Sequence, residues 1–316
     1  MRSPIRAALL AVLTVAIGAL GAPGAPGLVP GDAAAAEKLR VVATTTDLKA
    51  LTEAVGGDLV EVESLARGNQ NPHDLEVRPS LMVKVRRADL LVINGLELDQ
   101  WAEVVVQGAN NPKVLPGTPG RVDASQGLPV LEVPTTRVDR SLGDVHPLGN
   151  PHYTMDPGMA PQITSNILNG LARLQPQSRP AFEKNRAAFL ASLEQAMGRW
   201  TAALAPFKGA KVVQYHALFA YVFMRFGLVK GGAIEDRPGI PATPGHLARL
   251  IQDMKQEQIK LVVVEPWNDV KLAERVAQEA GARVRVLAPS VGAVKEARTY
   301  LETVDYNVRT LAEGLR

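Results

Sequence analysis

The sequence contains no cysteine, and this absence limits the chemistry that the chain can carry. Without thiols there is no structural disulfide and no thiolate metal site, and we expect no lipidated cysteine as an anchor. Aromatic residues are also scarce, at 4% of the 316 residues, whereas 46% are hydrophobic. That hydrophobic share is typical of a folded globular protein. The length favours two domains.

Neither sign of charge is in large excess. The chain has 35 lysines and arginines against 32 aspartates and glutamates, which gives a net charge of +3. The basic residues are scattered, with no run longer than Arg86-Arg87. Because nucleic-acid-binding proteins normally carry a concentrated basic patch, we expect no nucleic-acid partner.

Long apolar runs are confined to the N-terminus. Arg2 and Arg6 accompany an apolar stretch at residues 7–20, and three alanines at 34–36 resemble a cleavage site. The stretch is too short to span a membrane comfortably, so we expect residues 1–36 to be a cleaved secretory signal rather than an anchor. No later segment has such a run, which favours a soluble protein of the bacterial periplasm.

Familiar catalytic motifs are missing as well. The sequence has no His-Glu-x-x-His, no Gly-x-Ser-x-Gly and no glycine loop of the phosphate-binding kind. We therefore expect a protein that is not an enzyme. A zinc-dependent hydrolase is the alternative from another class, since such a site needs little more than an open coordination position and a nearby base.

The most regular pattern in the chain runs from Ser178 to Leu204 and predicts a long helix. Ser178 is a suitable N-cap, Pro180 fits the first turn, and Ala205-Pro206 would end the helix. About 25 residues at about 1.5 Å each make a rod of roughly 37 Å. Its predicted apolar face consists of Phe182, Phe189, Leu190, Leu193, Met197, Trp200 and Leu204.

Strand and helix patterns alternate on both sides of this long helix, which predicts parallel sheets covered by helices. The predicted strands are 39–43, 59–65, 89–94, 130–133, 211–215, 228–234, 261–264 and 283–287. We therefore expect an α/β fold of two lobes, each with a mostly parallel sheet flanked by helices, joined by one long rigid backbone helix. The predicted division is a signal peptide at 1–36, an N-terminal lobe at 37–177, the linking helix at 178–206 and a C-terminal lobe at 207–316.

Three of the five histidines lie where a binding crevice is expected, beyond the carboxyl ends of strands. His216 directly follows a predicted strand, His73 lies in the loop after the second strand, and His152 precedes the helix before the long one. Glu265 occupies a strand end like that of His216. Three imidazoles and a carboxylate are a good tetrahedral ligand set for Zn²⁺.

Each histidine also has a simpler interpretation, as a turn residue or a hydrogen-bonded core residue. Two Asn-Pro-His loops, at 71–73 and 150–152, together with a strand-end histidine make coincidence a poor explanation. We expect His146 to be a solvated loop residue rather than a secondary metal contact, and His246 to be a surface residue. Replacing either by alanine should then leave zinc affinity almost unchanged.

Four short motifs, in their order along the chain, resemble those of a known family. They are Asn71-Pro72-His73-Asp74-Leu75-Glu76 with Pro79-Ser80, Gly149-Asn150-Pro151-His152-Tyr153 with Asp156-Pro157, Tyr215-His216-Ala217 with Phe219 and Tyr221, and Glu265-Pro266. The family is that of the periplasmic metal-binding receptors of ABC transporters, which capture Zn²⁺ or Mn²⁺. The resemblance covers nearly all of the mature chain. It implies two lobes bridged by a rigid helix, a metal between them, and the first three ligands at His73, His152 and His216.

The chain departs from this family at two places. The family usually has an Asp or Glu ligand just after the last strand, where this chain reads Leu287-Ala288-Pro289-Ser290. The His-rich acidic loop of many zinc-specific members is absent from residues 110–144. We assign the fourth metal position to Glu265, because a strand fixes its backbone. Glu235, Asp236 and water are alternatives, and Glu265 could instead orient a histidine.

The resemblance predicts high-affinity capture of a transition metal in the periplasm and its delivery to an ABC permease. Zinc is the expected ligand because neutral imidazoles suit it, whereas Mn²⁺ prefers carboxylate oxygen. A manganese receptor is the nearer alternative, and a surface adhesin of the same fold is disfavoured by the missing lipidated cysteine. We expect a monomer, with a periplasmic metallochaperone as a second candidate partner. Metal binding should mainly order the loops at 110–150 and 235–244.

Overall fold

The computed structural model describes residues 37–138 and 143–316. The predicted signal peptide at 1–36 lies outside these residues. Residues Glu37–Arg316 form a single compact unit. Within the described ranges, no helix is both long and apolar enough to cross a membrane.

The first lobe is built around a four-stranded sheet in which every strand pair is parallel. The strands are β1 (Leu39–Ala43), β2 (Val60–Ser64), β3 (Leu90–Ile93) and β4 (Arg121–Asp123), in the order β2-β1-β3-β4. The helices are α1 (Thr46–Gly56), α2 (Pro79–Arg86), α3 (Trp101–Ala109) and α4 (Ala160–Leu174). Successive residues of β1 and β3 are buried, as expected for strands with both faces covered.

The second lobe repeats this plan. Its strands are β5 (Lys211–Gln214), β6 (Val229–Ala233), β7 (Leu261–Val264) and β8 (Arg283–Val286), all parallel, in the order β6-β5-β7-β8. Its helices are α6 (Ala220–Phe226), α7 (Pro244–Gln256), α8 (Val270–Ala280) and α9 (Tyr300–Leu315). In both lobes the second strand lies at one edge and the first and third strands lie in the centre. The loops that follow the central strands are therefore in equivalent positions.

The long helix α5 (Arg179–Leu204) has 26 residues and packs against α1, α4 and α9. Its buried residues, Phe182, Leu193, Ala196, Trp200 and Leu204, follow the predicted helical spacing. They belong to one hydrophobic cluster that also contains central residues of both sheets, such as Val92 and Val263. The predicted fold of two parallel-sheet lobes and a long helix is thus confirmed.

The predicted strand at 130–133 is wrong, because the fourth strand of the first sheet is β4. In the predicted segment, Leu131 N donates to the Tyr221 hydroxyl (3.0 Å), and Leu131 O accepts from Asn150 N (2.8 Å). Glu132 has a φ of +52°, outside the strand region. Leu131 N therefore bonds the second lobe and Leu131 O bonds a loop of the first lobe, so neither joins a sheet.

Two helix boundaries also differ from the prediction. Ser178 does not cap α5, since it ends a 3₁₀ turn that continues directly into the helix, and its side chain makes no capping bond. The closing helix, for which the sequence pattern predicts a start at Val291, begins only at Tyr300. Thr299 and Glu302 form a capping box there, with reciprocal bonds that satisfy free backbone donors.

Candidate metal centre

Three of the predicted ligands converge at one point. His73, His152 and His216 each offer a ring nitrogen, and these three atoms lie within 4.8 Å of one another. The Nε2 atoms of His73 and His152 are 3.2 Å apart. Nitrogens bound tetrahedrally to zinc at about 2.0–2.1 Å lie about 3.3–3.4 Å from each other. This pair is therefore already close to the separation that a shared zinc ion requires.

The two Asn-Pro-His loops use the same local device to present their histidines. Asn71 Oδ1 accepts a hydrogen bond from His73 N (3.1 Å), and Asn150 Oδ1 accepts one from His152 N (3.0 Å). An asparagine side chain that bonds the backbone two residues later mimics a turn. The repeated motif is thus a pair of matched turns that fix the histidine backbones.

Further hydrogen bonds hold the loop that carries His152. Asn94, which follows β3, donates from Nδ2 to Pro151 O (3.1 Å), and its carbonyl accepts from the Tyr153 hydroxyl (2.7 Å). The Tyr221 hydroxyl, from the second lobe, donates to Asn150 O (2.8 Å). His152 is also buried. Its burial and the bonds of its neighbours together leave its backbone little freedom.

His216 follows β5 and is oriented by a carboxylate. Its Nδ1 lies 2.8 Å from Oε2 of Glu235, which also accepts from Gly239 N (2.8 Å). A carboxylate that accepts a hydrogen bond from Nδ1–H keeps the proton on that nitrogen and leaves the Nε2 lone pair for a metal. Burial alone would lower the pKa of His216, but the bond to Glu235 and the charges of Glu265, Glu235 and Asp144 together raise it.

The pKa values of the other two proposed ligands, His73 and His152, are shifted in the opposite direction. Burial holds the pKa of His73 and of His152 well below the ordinary value, and neighbouring histidines lower both further. Both rings are therefore neutral near pH 7. The neutral ring is the form that binds a metal.

Glu265 is fully buried directly after β7, near His216 but outside the three-histidine group that the described residues form. Its Oε2 accepts from Asn268 Nδ2 (2.8 Å), whereas its Oε1 has no partner among the described residues. Burial raises the pKa of this carboxyl to about 7. A buried carboxylate oxygen without a donor is unusual and suggests an unfilled contact.

The other candidates for the fourth position are engaged elsewhere. Glu235 bonds His216, and Asp236 lies 3.2 Å from Nδ1 of His246. His246 is half-buried rather than a free surface residue, because its Nε2 also contacts Ala233 O (2.9 Å). It lies outside the centre, as expected.

The expectation that His146 is a solvated loop residue is wrong. Its ring is half-buried, and its Nε2 lies 3.3 Å from Nδ1 of His73. A cavity of about 240 Å³ opens beside the centre and is lined by His146, His152, His216, Asp144 and Glu132, among others. Glu132 is ion-paired with Lys230 in this lining, so Asp144 is the carboxylate there that favours the approach of a cation.

Sequence reasoning missed the roles of His146 and Glu235. Glu235 had a usable signal, since it lies two residues beyond β6, the strand that pairs with β5 and so with the strand end of His216. His146 had only its closeness to His152 in the sequence.

The fold and the three-histidine centre define a two-lobed protein with a candidate metal site between its lobes. The family model for the periplasmic zinc-uptake complex component A, ZnuA, matches residues 41–314. The chain therefore belongs to the ZnuA family.

Several individual proteins are similar to this chain. The zinc-binding lipoprotein AdcA of Streptococcus pneumoniae is 25% identical over 280 residues, which cover 87% of this chain but only 56% of AdcA. The high-affinity zinc uptake system protein ZnuA of Bacillus subtilis is 24% identical over 288 residues, 88% of each protein. A zinc-bound structure of a ZnuA deletion mutant has a TM-score of 0.75 at 26% identity, covering 88% of this chain and 98% of that one.

Proposed function

We propose that this chain captures Zn²⁺ in the periplasm and delivers it to the permease of an ABC transporter. The observation that carries this proposal is the convergence of His73, His152 and His216 from both lobes. Membership of the ZnuA family supports it. The similar proteins AdcA, a zinc-binding lipoprotein, and the Bacillus subtilis zinc uptake protein support it as well. The protein acts as a monomer, with a periplasmic metallochaperone as a further candidate partner.

The ligand chemistry favours zinc over manganese. The three proposed ligands are imidazoles, and Ala288 lies where the family usually has a carboxylate ligand. Mn²⁺ prefers oxygen ligands, whereas imidazole suits Zn²⁺. A manganese receptor is therefore the second candidate. The zinc ion is cargo, bound and released without chemical change, so we propose no enzymatic activity.

Competitive titration of the purified protein with Zn²⁺ and Mn²⁺ tests this proposal. We expect one Zn²⁺ to bind tightly and Mn²⁺ far more weakly. His216→Ala should lose most of the zinc affinity, whereas His246→Ala, which changes a half-buried histidine outside the centre, should bind like the parent. A preference for Mn²⁺, or no stoichiometric binding of either ion, would refute the assignment.

We further propose that Glu265 completes the coordination of the metal. Its Oε1, which has no partner among residues 37–138 and 143–316, supports this role, as do its burial and its place at the end of β7. The role requires the carboxylate to approach the three nitrogens when the metal binds. The lobes that contribute these ligands are proposed to span 37–177 and 207–316, with 178–206 between them.

Glu265→Gln is the direct test of this fourth ligand. A neutral amide is a poor ligand for zinc, so direct coordination predicts a strong loss of zinc affinity. A loss of about 10–100-fold would instead indicate that Glu265 acts through a bound histidine. Zinc binding equal to that of the parent would exclude both roles and favour a site completed by water. The binding constants should be measured by chelator competition.

A further inference from the structure

We propose that His146 is a positioning residue of the zinc centre. Its Nε2 accepts a hydrogen bond from the Nδ1–H of His73, and this bond directs the Nε2 lone pair of His73 to the metal. The inference rests on the proposed zinc-binding function. It replaces the expectation that His146 is dispensable.

The geometry of the two rings is that of an edge-to-edge hydrogen bond. Nε2 of His146 lies 3.3 Å from Nδ1 of His73, while the ring centroids are 5.1 Å apart. The nitrogens are much closer than the centroids, so they face each other along the line between the rings. The ring planes differ by only 28°, so the two rings are nearly parallel where their nitrogens meet.

This contact decides which nitrogen of His73 can bind a metal. On its other side, Nε2 of His73 lies 3.2 Å from Nε2 of His152, the second proposed ligand. A neutral imidazole carries one proton, on either Nδ1 or Nε2. An acceptor at Nδ1 places the proton there and leaves Nε2 free to coordinate zinc. Without that acceptor, part of the His73 population would carry the proton on the metal side.

A third proposed ligand, His216, offers a comparison within the same site. Nδ1 of His216 bonds a carboxylate, Glu235, at 2.8 Å. Histidines that bind metals almost always give their second N–H to such a partner. At His73 the equivalent place is occupied by the neutral ring of His146, so this ligand is oriented without an added negative charge.

The backbone around His146 is held from both lobes. Gly149 N donates to His146 O (3.0 Å), and Asp144 N donates to Pro238 O (2.8 Å) in the loop after β6. The loop with His146 is thus attached to the same loop that carries Glu235. Both orienting residues are therefore brought to the ligands by one contact between loops.

Two substitutions at His146 separate its hydrogen bond from its bulk. His146→Gln keeps an acceptor near the position of Nε2, whereas His146→Leu fills similar space without one. The matched controls are His246→Gln and His246→Leu, because His246 is also half-buried and hydrogen-bonded but lies outside the centre. Zinc affinity is measured by chelator competition, and the absorption bands of bound Co²⁺ report the ligand set. Thermal unfolding of the metal-free variants verifies that each one folds.

We expect His146→Leu to bind zinc about 10–100-fold more weakly than the parent, the usual effect of losing an orienting partner. His146→Gln should stay close to the parent, and the Co²⁺ bands should be the same in all variants, since His146 is not a ligand. Both His246 variants should bind zinc normally.

Three results would overturn the proposal. They are parent-like zinc binding by folded His146→Leu, a His146→Gln protein as weak as His146→Leu, and Co²⁺ bands that change in His146→Leu and so reveal direct coordination. Failure of the parent and of the His246 variants to bind zinc would refute the proposed function, and this role with it.

Discussion

Glu235 sets the protonation of His216 and therefore the pH at which the centre can hold a metal. A protonated imidazole cannot coordinate, so zinc affinity falls as the pH drops through the pKa of the ligand. The pKa of His216 is raised, mainly because the bond to Glu235 and nearby carboxylates outweigh the effect of burial. His216 is thus the first of the three ligands to gain a proton on acidification, at a pH above the ordinary histidine value.

The Glu235→Gln substitution tests this dependence. It removes a charge and weakens the bond at Nδ1, so affinity at about pH 8 should fall by about 10–100-fold. The pH at which affinity declines should also move lower, because the pKa of His216 drops. Zinc competition titrations between about pH 5.5 and 8 measure both effects. Glu257→Gln, in an exposed ion pair with Lys211, is the control and should follow the parent. An unchanged pH profile in Glu235→Gln would contradict the assignment.

At the level of single residues, the convergence of His73, His152 and His216 could be predicted from the sequence. Strand ends and repeated Asn-Pro-His turns are local signals, and parallel topology brings them together. The contact of His146 with His73 depends on the path of an irregular loop, which no periodic pattern encodes. Glu235 follows a predicted strand, but its bond to His216 depends on the pairing of β6 with β5.

Among the elements near the site, we expect metal binding to order two loops most. Residues 143–150 and 235–244 touch through the bond between Asp144 N and Pro238 O, and each loop presents a residue that contacts a proposed ligand. Both are irregular, whereas α5 is anchored by five buried side chains. The loops therefore have few apolar contacts to hold them when no metal is bound.

We expect zinc to increase the protection of backbone amides in these two loops, read at short exchange times before the amides of α5 exchange. Hydrogen exchange of metal-free and zinc-loaded protein, read by mass spectrometry, measures this directly. The Gly239 amide, which donates to Glu235, should show the effect clearly. The His216→Ala protein exposed to zinc serves as a control and should show no change. Protection found in α5 alone would contradict this view.

At the scale of elements, apolar runs predicted most strands correctly, because central parallel strands are buried on both faces. Strand β4 was missed because it has only three residues, two of them charged, and so shows no apolar run. Its pairing with β3 makes it a strand. The short segment at 130–133 has the apolar character of a strand, but the backbone of Leu131 bonds outside any sheet.

For the whole molecule, buried polar contacts fasten one lobe to the other. Asp47, in the first turn of α1, accepts from Val291 N (2.9 Å) in the second lobe and from the Thr154 hydroxyl (3.3 Å). Asp156 forms a bidentate ion pair with Arg225 of α6, at 2.6 and 2.8 Å. These contacts join the lobes close to the loop that carries His152.

Asp47 should make the stability of the protein depend on pH. Burial raises its pKa to about 7, from 3.8 in an unconstrained chain, so the folded state binds more protons between these values. The contribution of this group to stability is therefore greatest at low pH and declines as the pH rises toward 7. Between pH 5 and 8 the loss is about 3 kcal/mol.

The Asp47→Asn substitution removes this titration. The variant should lose about 3 kcal/mol less than the parent between pH 5 and 8, as measured by urea unfolding at both values. The amide can still accept from Val291 N, so the contact between the lobes survives. Asp58→Asn, at an exposed position, is the control and should follow the parent. Equal pH dependence in Asp47→Asn and the parent would disprove the role.

One hydrophobic cluster contains residues of both sheets and of α5, and this shared core affects how long the protein resists degradation. Since the lobes share one core, they unfold together, and a ligand held at one point stabilises every segment of the chain. At a free zinc concentration a thousandfold above the dissociation constant, this stabilisation is about 4 kcal/mol. A protease that cleaves only unfolded chains would then degrade empty molecules about a thousand times faster than loaded ones. The lifetime of the protein beside such a protease would therefore rise and fall with the free zinc concentration.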